Sequence, residues 1–111
     1  MPLLKMSTNA QNFDSSTLSK RLSQEMVSLT GKPERYVMVI INNNVDICFD
    51  TSDDIAAYLE VKSIGSLDPK EISKRLCAVL EQNAKINPSR IYINMEDVKA
   101  SMWGFNSSTF G

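Results

Sequence analysis

The sequence predicts an α/β fold of the α+β kind: a duplicated β-α-β unit whose four strands form one mixed sheet with two helices on one face. Segments with strand and helix periodicity alternate along the 111 residues. Two short motifs recur 54 and 55 residues later, at equivalent places in the two units: Ser19-Lys20-Arg21-Leu22 as Ser73-Lys74-Arg75-Leu76, and Pro33-Glu34-Arg35 as Pro88-Ser89-Arg90. We therefore expect a single domain over residues 1–111, with pseudo-repeats at about 2–50 and 55–111, joined by right-handed crossovers.

The first unit is predicted to be strand, helix, strand. Asp14 can cap a helix whose apolar positions Leu18, Leu22, Met26 and Leu29 recur at helical spacing. Gly31 and Pro33 end that helix. The predicted strands of this unit are residues 3–9, Tyr36 to Ile41 and, after a turn at Asn42-Asn43-Asn44, a shorter strand at about Val45 to Phe49.

The second unit follows a polar loop and has a stronger helix signal. In Asp68-Pro69-Lys70-Glu71, aspartate occupies the N-cap, proline the first helical position, and glutamate the position from which its side chain reaches back. The apolar face of this helix consists of Ile72, Leu76, Val79, Leu80 and Ala84. The flanking predicted strands are Ile55 to Ile64 and, after Pro88, Arg90 to Glu96.

The long predicted strand has two different faces. Leu59 and Val61 lie on one side, while Tyr58, Glu60 and Lys62 lie on the other. Because both helices cover the same face of the sheet, the mixed second face would be exposed in a monomer. We therefore expect the chain to oligomerise through a partly polar interface.

Composition excludes several functional classes. The net charge of −1 provides no basic surface for nucleic acid or an anionic membrane. No apolar run approaches the roughly 18 residues of a membrane span, and the few apolar residues before Lys5 are too short for a signal peptide, so synthesis in the cytosol is expected. Histidine is absent, and Cys48 and Cys77 lack metal-ligand spacing. We expect free thiols and no metal site.

Pro2 is the most informative candidate for chemistry. Initiator methionine is usually removed before a small residue, and its removal would leave a secondary amine on Pro2. The reference pKa of an α-amino group is about 7.7 to 8.0, and an apolar pocket near another cation lowers it. Such an amine acts as a base at neutral pH. Taken alone, however, Met-Pro is also an ordinary beginning of a chain.

Five segments, in order and spanning essentially the whole chain, resemble the macrophage migration inhibitory factor and D-dopachrome tautomerase family. They are Met1-Pro2, Thr30-Gly31-Lys32-Pro33, Ser63-Ile64-Gly65, Arg90-Ile91-Tyr92-Ile93-Asn94, and Trp103-Gly104-Phe105-Asn106-Ser107-Ser108-Thr109-Phe110. The resemblance implies the duplicated fold described above, closed into a homotrimer with active sites between subunits. It also implies keto-enol tautomerisation of phenylpyruvate-like or dopachrome-type substrates, without a metal or organic cofactor.

The resemblance assigns roles to individual residues. It implies that Pro2 is the catalytic base and that Lys32 binds the carboxylate of a small aromatic α-keto acid and helps keep the amine neutral. Ile64 would contact the substrate. Tyr92 and Asn94, two apart on one strand and opposite Ile91, Ile93 and Met95, would reach a neighbouring subunit's pocket. Without the resemblance, Lys32 would be interpreted as a solvated lysine and Ile64 as a core residue of a strand. Tyr92 and Asn94 would be interpreted as exposed polar residues of a strand.

The aromatic residues near the C-terminus allow two interpretations. Trp103, Phe105 and Phe110 could form a wall for a phenyl-bearing substrate or a subunit-packing patch. The chain also departs from the family in four places: Ala56-Ala57-Tyr58-Leu59 lacks the vertebrate Cys-x-x-Cys, Phe49-Asp50-Thr51 replaces Phe-Gly-Gly, Lys62 replaces a histidine, and Trp103 replaces a smaller valine. Thiol oxidoreductase activity is therefore not expected, and substrate preference cannot be transferred directly.

Two further functions are compatible with the resemblance. The chain could act as a cytokine-like signalling ligand or host mimic that binds the class II invariant-chain receptor, with tautomerase activity secondary. This would require the protein, expected in the cytoplasm, to be secreted by a non-classical route. Alternatively, it could be a scaffolding trimer without turnover.

Overall fold

Strands and helices alternate in the computed structural model, which describes all residues from Met1 to Gly111. The elements are β1 (Leu3–Thr8), α1 (Ser15–Thr30), β2 (Met38–Asn42), β3 (Ala57–Ser63), α2 (Pro69–Ala84), β4 (Ile91–Asp97), β5 (Gly104–Phe105) and β6 (Ser108–Thr109). Single 3-10 turns lie at Glu34–Tyr36, Pro88–Arg90 and Ala100–Met102. Neither α-helix has the length and apolar character that crossing a membrane requires.

The main sheet has four strands in the order β2-β1-β3-β4. β1 runs parallel to β2, β3 runs parallel to β4, and the two central strands β1 and β3 are antiparallel. The predicted mixed sheet with two helices is therefore confirmed. In each parallel pair the two strands are connected through one helix. Because β1 and β3 are antiparallel, the N-terminal ends of β1 and β2 lie at one end of the sheet and those of β3 and β4 at the other.

The hydrophobic core lies between the helices and one face of the sheet. Leu4 and Met6 of β1 and Leu59 and Val61 of β3 are fully buried there. The five apolar residues predicted for the second helix are all buried, as are three of the four predicted for the first, with Leu29 packed partly buried against the same cluster. The opposite sheet face has no helix, and Tyr58 of β3 is exposed on it.

Both helices begin and end where local sequence signals predict. The Asp14 carboxylate accepts a hydrogen bond from the Ser16 amide at 3.0 Å, and Gly31 ends α1 with a left-handed φ of 70°. At α2, the Asp68 carboxylate accepts from the Glu71 amide at 3.4 Å. The predicted return bond from the Glu71 side chain does not form, so only the aspartate half of the capping box is present.

The predicted strand at Val45 to Phe49 is wrong. Residues 43–48 have no regular structure, and Phe49 forms only an isolated bridge with Ser52, exchanging backbone hydrogen bonds of 2.9 and 3.1 Å. The segment alternates half-buried and exposed residues as a strand would, but no strand of this chain lies beside it to pair with. The preceding strand also begins later than predicted, at Met38, because Glu34–Tyr36 forms a 3-10 turn.

Candidate functional site

A pocket of about 640 Å³ opens at the N-terminal ends of β1 and β2. Pro2 is buried in its wall, and the Pro2 carbonyl accepts a hydrogen bond from the Met38 amide at 3.0 Å. The parallel pairing of Leu3 with Met38 continues this contact into the sheet. The start of the chain is therefore fixed on the sheet, beside the pocket.

The C-terminal segment supplies the aromatic side of the pocket. The rings of Phe105 and Phe110 are stacked, with centroids 5.2 Å apart. The ring of Tyr36 contacts both edge-on, at 5.7 and 5.9 Å. The β5-β6 hairpin folds the chain back, and the Phe110 amide donates to the Trp103 carbonyl at 3.2 Å. Trp103, Phe105 and Phe110 thus all line the pocket that Pro2 borders.

The terminal amine beside this pocket has a perturbed pKa. Burial, and to a lesser degree the positive charge of Lys32, lower the pKa of the Met1 amine from its ordinary value of 8.0. Lys32 does not line the pocket itself; it is half-buried just after Gly31, with its amide bonded to Thr30 Oγ1 at 3.3 Å. Removal of Met1 would place the free amine on Pro2, one residue further into the same site.

Besides Lys32, three other predicted substrate-binding residues do not line this pocket within the chain. Ile64 is half-buried just after β3, next to Gly65 at a φ of 69°. Tyr92 and Asn94 lie on the open face of β4, as predicted, and Tyr92 is 65% exposed. Tyr92 borders a different, largely apolar groove of about 380 Å³. Tyr92 and Asn94 therefore do not share the pocket of Pro2 in their own chain.

The pocket also contains charged residues that the sequence did not identify as part of it. Lys62 and Glu96 line it, with Lys62 Nζ 4.0 Å from Glu96 Oε2. Arg35 lines it as well, with its guanidinium carbon 4.8 Å from the centre of the Tyr36 ring. The sequence alone carried no signal for Lys62, because its place beside the pocket follows from the sheet register, in which Lys62 pairs with Leu3, the neighbour of Pro2.

The fold and site together define a small α+β protein of two β-α-β units, with an apolar, aromatic-walled pocket built around its N-terminus. The sequence model described as macrophage migration inhibitory factor matches residues 1–111. The chain therefore belongs to the macrophage migration inhibitory factor family.

Individual relatives agree over their whole length. The chain is 37% identical to a macrophage migration inhibitory factor homologue of Brugia malayi, covering 100% of both chains. It is 33% identical to macrophage migration inhibitory factor of Mus musculus, covering 99% of each. Among solved structures, a crystal structure of a homologue from Prochlorococcus marinus superposes with a TM-score of 0.93 at 41% identity, covering 98% of this chain and 99% of the other.

Proposed function

We propose that the protein is a keto-enol tautomerase acting on phenylpyruvate or dopachrome-type substrates, with the free amine of Pro2 as general base. Members of this family are generally tautomerases, which supports the class of reaction. The observation that carries the proposal is the position of the N-terminus beside an aromatic-walled pocket, where burial and the charge of Lys32 lower the pKa of the Met1 amine, and where the amine of Pro2 would lie after Met1 is removed. A neutral amine at physiological pH is what proton abstraction requires.

The proposed reaction moves one proton and breaks no other bond. The lone pair of the Pro2 nitrogen takes a proton from the carbon next to the ketone, and the electrons of that C–H bond become the enolate double bond. The C=O π electrons move onto the oxygen, and the prolinium N–H then gives its proton to that enolate oxygen, which yields the enol and returns the amine to its neutral form. Lys32 binds the carboxylate as a point charge and disfavours protonation of the amine.

The pocket supports an aromatic substrate. Trp103, Phe105 and Phe110 offer ring faces and edges next to Pro2, and the volume of about 640 Å³ is within the range of small-molecule sites. Phe105 is nevertheless 52% exposed in the isolated chain. Further burial of this wall would come from a bound substrate or a neighbouring subunit.

A homotrimer is proposed as the active form. The open sheet face includes the large exposed side chains of Met38, Ile40 and Tyr92, which a monomer would leave in water. Since Tyr92 and Asn94 lie away from Pro2 in their own chain, they could donate hydrogen bonds to substrate only at the pocket of a neighbour. Ile64, beside Gly65, is proposed to contact the substrate from the same subunit as Pro2.

A second role as a signalling ligand is proposed because the relatives carry the name of a factor acting on macrophage migration. In this role the invariant chain, as receptor, would bind the outer surface of the protein, and the tautomerase activity of the pocket would be secondary. Acetylation of the N-terminal amine separates the two roles. If the acetylated protein still binds the receptor but no longer turns over substrate, the signalling role does not depend on catalysis. If acetylation abolishes both receptor binding and turnover, the two roles are not separable.

The experiment that tests the enzymatic proposal is steady-state enolisation of 4-hydroxyphenylpyruvate by wild type and Pro2→Gly, each with Met1 removed. We expect kcat/KM to fall by about a hundredfold or more in the variant, the range that general-base catalysis supplies. Equal turnover in both proteins would exclude Pro2 as the base. Absence of turnover in the wild type would favour the signalling role.

A further inference from the structure

The turn between Phe49 and Ser52 has an unusual backbone. Its two central residues, Asp50 and Thr51, have positive φ values of 53° and 58°. A turn of this kind normally uses Asn-Gly or Asp-Gly, because the left-handed region brings Cβ close to the following carbonyl. Threonine is an especially poor fit there because it is β-branched. The turn is therefore strained and depends on restraint from outside itself.

Arg90 provides that restraint. Its guanidinium donates to the carbonyls of four residues of the turn and the segment after it, with the following distances: Nη1 to Phe49 at 2.5 Å, Nη2 to Asp54 at 2.8 Å, Nη2 to Ser52 at 3.3 Å, and Nε to Ile55 at 3.4 Å. No carboxylate forms an ion pair with it. Four of the five N–H donors of Arg90 thus bind backbone carbonyls of residues 49–55.

The same arginine is connected to Tyr92 through an aromatic ring. The guanidinium carbon of Arg90 lies 5.1 Å from the centre of the Phe49 ring. The Phe49 ring in turn lies 4.6 Å from the ring of Tyr92, centre to centre. Tyr92 is otherwise mostly exposed, and its hydroxyl forms no hydrogen bond within the chain. Phe49 is the one ring in close aromatic contact with Tyr92, which also lies beside Tyr58 on the neighbouring strand, and Arg90 contacts both the Phe49 ring and the Phe49 carbonyl.

We infer that Arg90 is a positioning residue: it holds the strained 49–52 turn in its left-handed conformation and so keeps Phe49 against Tyr92, which fixes the direction of the Tyr92 hydroxyl. Through Tyr92 this inference rests on the proposed function. It also explains how the chain tolerates Asp50-Thr51 where the family often has Gly-Gly after the phenylalanine, since hydrogen bonds from a side chain replace the freedom of glycine.

The test compares Arg90→Met, Thr51→Gly and the double variant in the full chain with Met1 removed. Arg90→Met should lower kcat/KM for 4-hydroxyphenylpyruvate about tenfold, because small misplacement of a substrate-contacting group is costly. Thr51→Gly should restore part of that loss, because glycine adopts a positive φ without strain. Arg90→Met should cause no further loss in a Tyr92→Phe background, where there is no hydroxyl to position. Lys74→Met, at an exposed lysine of α2, removes a positive charge in the same way, is the control and should leave these kinetics unchanged.

An equal loss on Arg90→Met in the wild-type and Tyr92→Phe backgrounds, or no relief by Thr51→Gly, would overturn the inference and leave Arg90 with a role in stability alone. Amide hydrogen exchange of residues 49–55 gives a readout that does not require turnover. Exchange there should accelerate in Arg90→Met and not in Lys74→Met, and unchanged exchange in Arg90→Met would overturn the restraint itself. If the wild type has no turnover, the proposed function fails, while the exchange measurement still decides whether Arg90 holds the turn.

Discussion

Arg75 on α2 donates a hydrogen bond from Nε to Glu25 Oε1 on α1 at 2.7 Å. Arg21, one turn before Glu25 on its own helix, binds the other carboxylate oxygen at 2.6 Å. Arg21 and Arg75 occupy the same place in the two copies of the repeated Ser-Lys-Arg-Leu motif. Glu25 is 8% exposed, so one buried carboxylate joins equivalent arginines of the two helices.

Neutralising this carboxylate should destabilise the protein. Glu25→Gln should lower the free energy of unfolding by about 1–2 kcal/mol, since both charge-assisted hydrogen bonds weaken while the arginines can still reach water. Chemical denaturation at fixed protein concentration measures it, because oligomerisation makes stability concentration-dependent. Glu81→Gln, at an exposed glutamate of α2, is the control and should change the unfolding free energy little.

The same carboxylate should make stability depend on pH. Burial raises the pKa of Glu25, but the hydrogen bonds and charges of Arg21 and Arg75 outweigh it and hold the pKa below the ordinary value of 4.5. A depressed pKa contributes stability above the unfolded value and loses it as the pH falls through the folded value. Wild type should therefore lose stability below about pH 4.5 more steeply than Glu25→Gln. Parallel curves for the two proteins would contradict this assignment.

Lys32 should affect both binding and the pH profile. Lys32→Met should raise KM for 4-hydroxyphenylpyruvate about ten- to a hundredfold, because this factor corresponds to the binding free energy of one charge-assisted hydrogen bond. The Lys32 charge helps lower the pKa of the Met1 amine. We expect the same effect on the Pro2 amine once Met1 is removed, so loss of Lys32 should move the acidic limb of the kcat/KM profile to higher pH. A change in KM with an unmoved limb would show that Lys32 binds the carboxylate without tuning the base.

The aromatic wall should select phenyl-bearing substrates. Phe105→Ala should raise KM for 4-hydroxyphenylpyruvate about tenfold, through lost apolar contact, and should leave enolisation of a short aliphatic 2-keto acid nearly unchanged. Steady-state kinetics with both substrates measure the difference. An equal loss for the two substrates would indicate that Phe105 packs subunits together and does not contact the ring.

The open sheet face should control assembly. Ile40 is 41% exposed on β2, next to exposed Met38. Ile40→Lys should reduce the mass measured by light scattering from three times the 12.4 kDa chain towards a single chain, because it buries a charge in the proposed interface. Gln24→Lys adds the same charge on the exposed surface of α1 and should leave the mass unchanged.

Sequence reasoning succeeded where a local signal determines local structure. Asp14, Gly31 and Asp68 mark helix ends through their own side chain or backbone freedom, so neighbours along the chain are enough to predict them. Alternation placed Leu59 in the core and Tyr58 on the open face for the same reason. The segment 45–49 was mispredicted because a strand needs a pairing partner, which alternation does not supply.

The site was only partly predictable. Trp103 and Phe105 were predicted either to form a substrate wall or to pack subunits, and the structure brings both to the pocket that Pro2 lines. Their convergence depends on the β5-β6 hairpin, whose two-residue strands are too short to give a periodic signal. Glu96 was missed because an exposed glutamate on a strand looks like a solvated residue until the register places it beside Lys62.

The proposed base is a free secondary amine at the N-terminus. The most direct measurement is the rate of 4-hydroxyphenylpyruvate enolisation by two preparations of the same sequence, distinguished by mass spectrometry as beginning with Pro2 or with Met1. We predict turnover by the first and only the uncatalysed rate with the second, because the Pro2 nitrogen is then an amide without a basic lone pair. Equal turnover by both would contradict the claim.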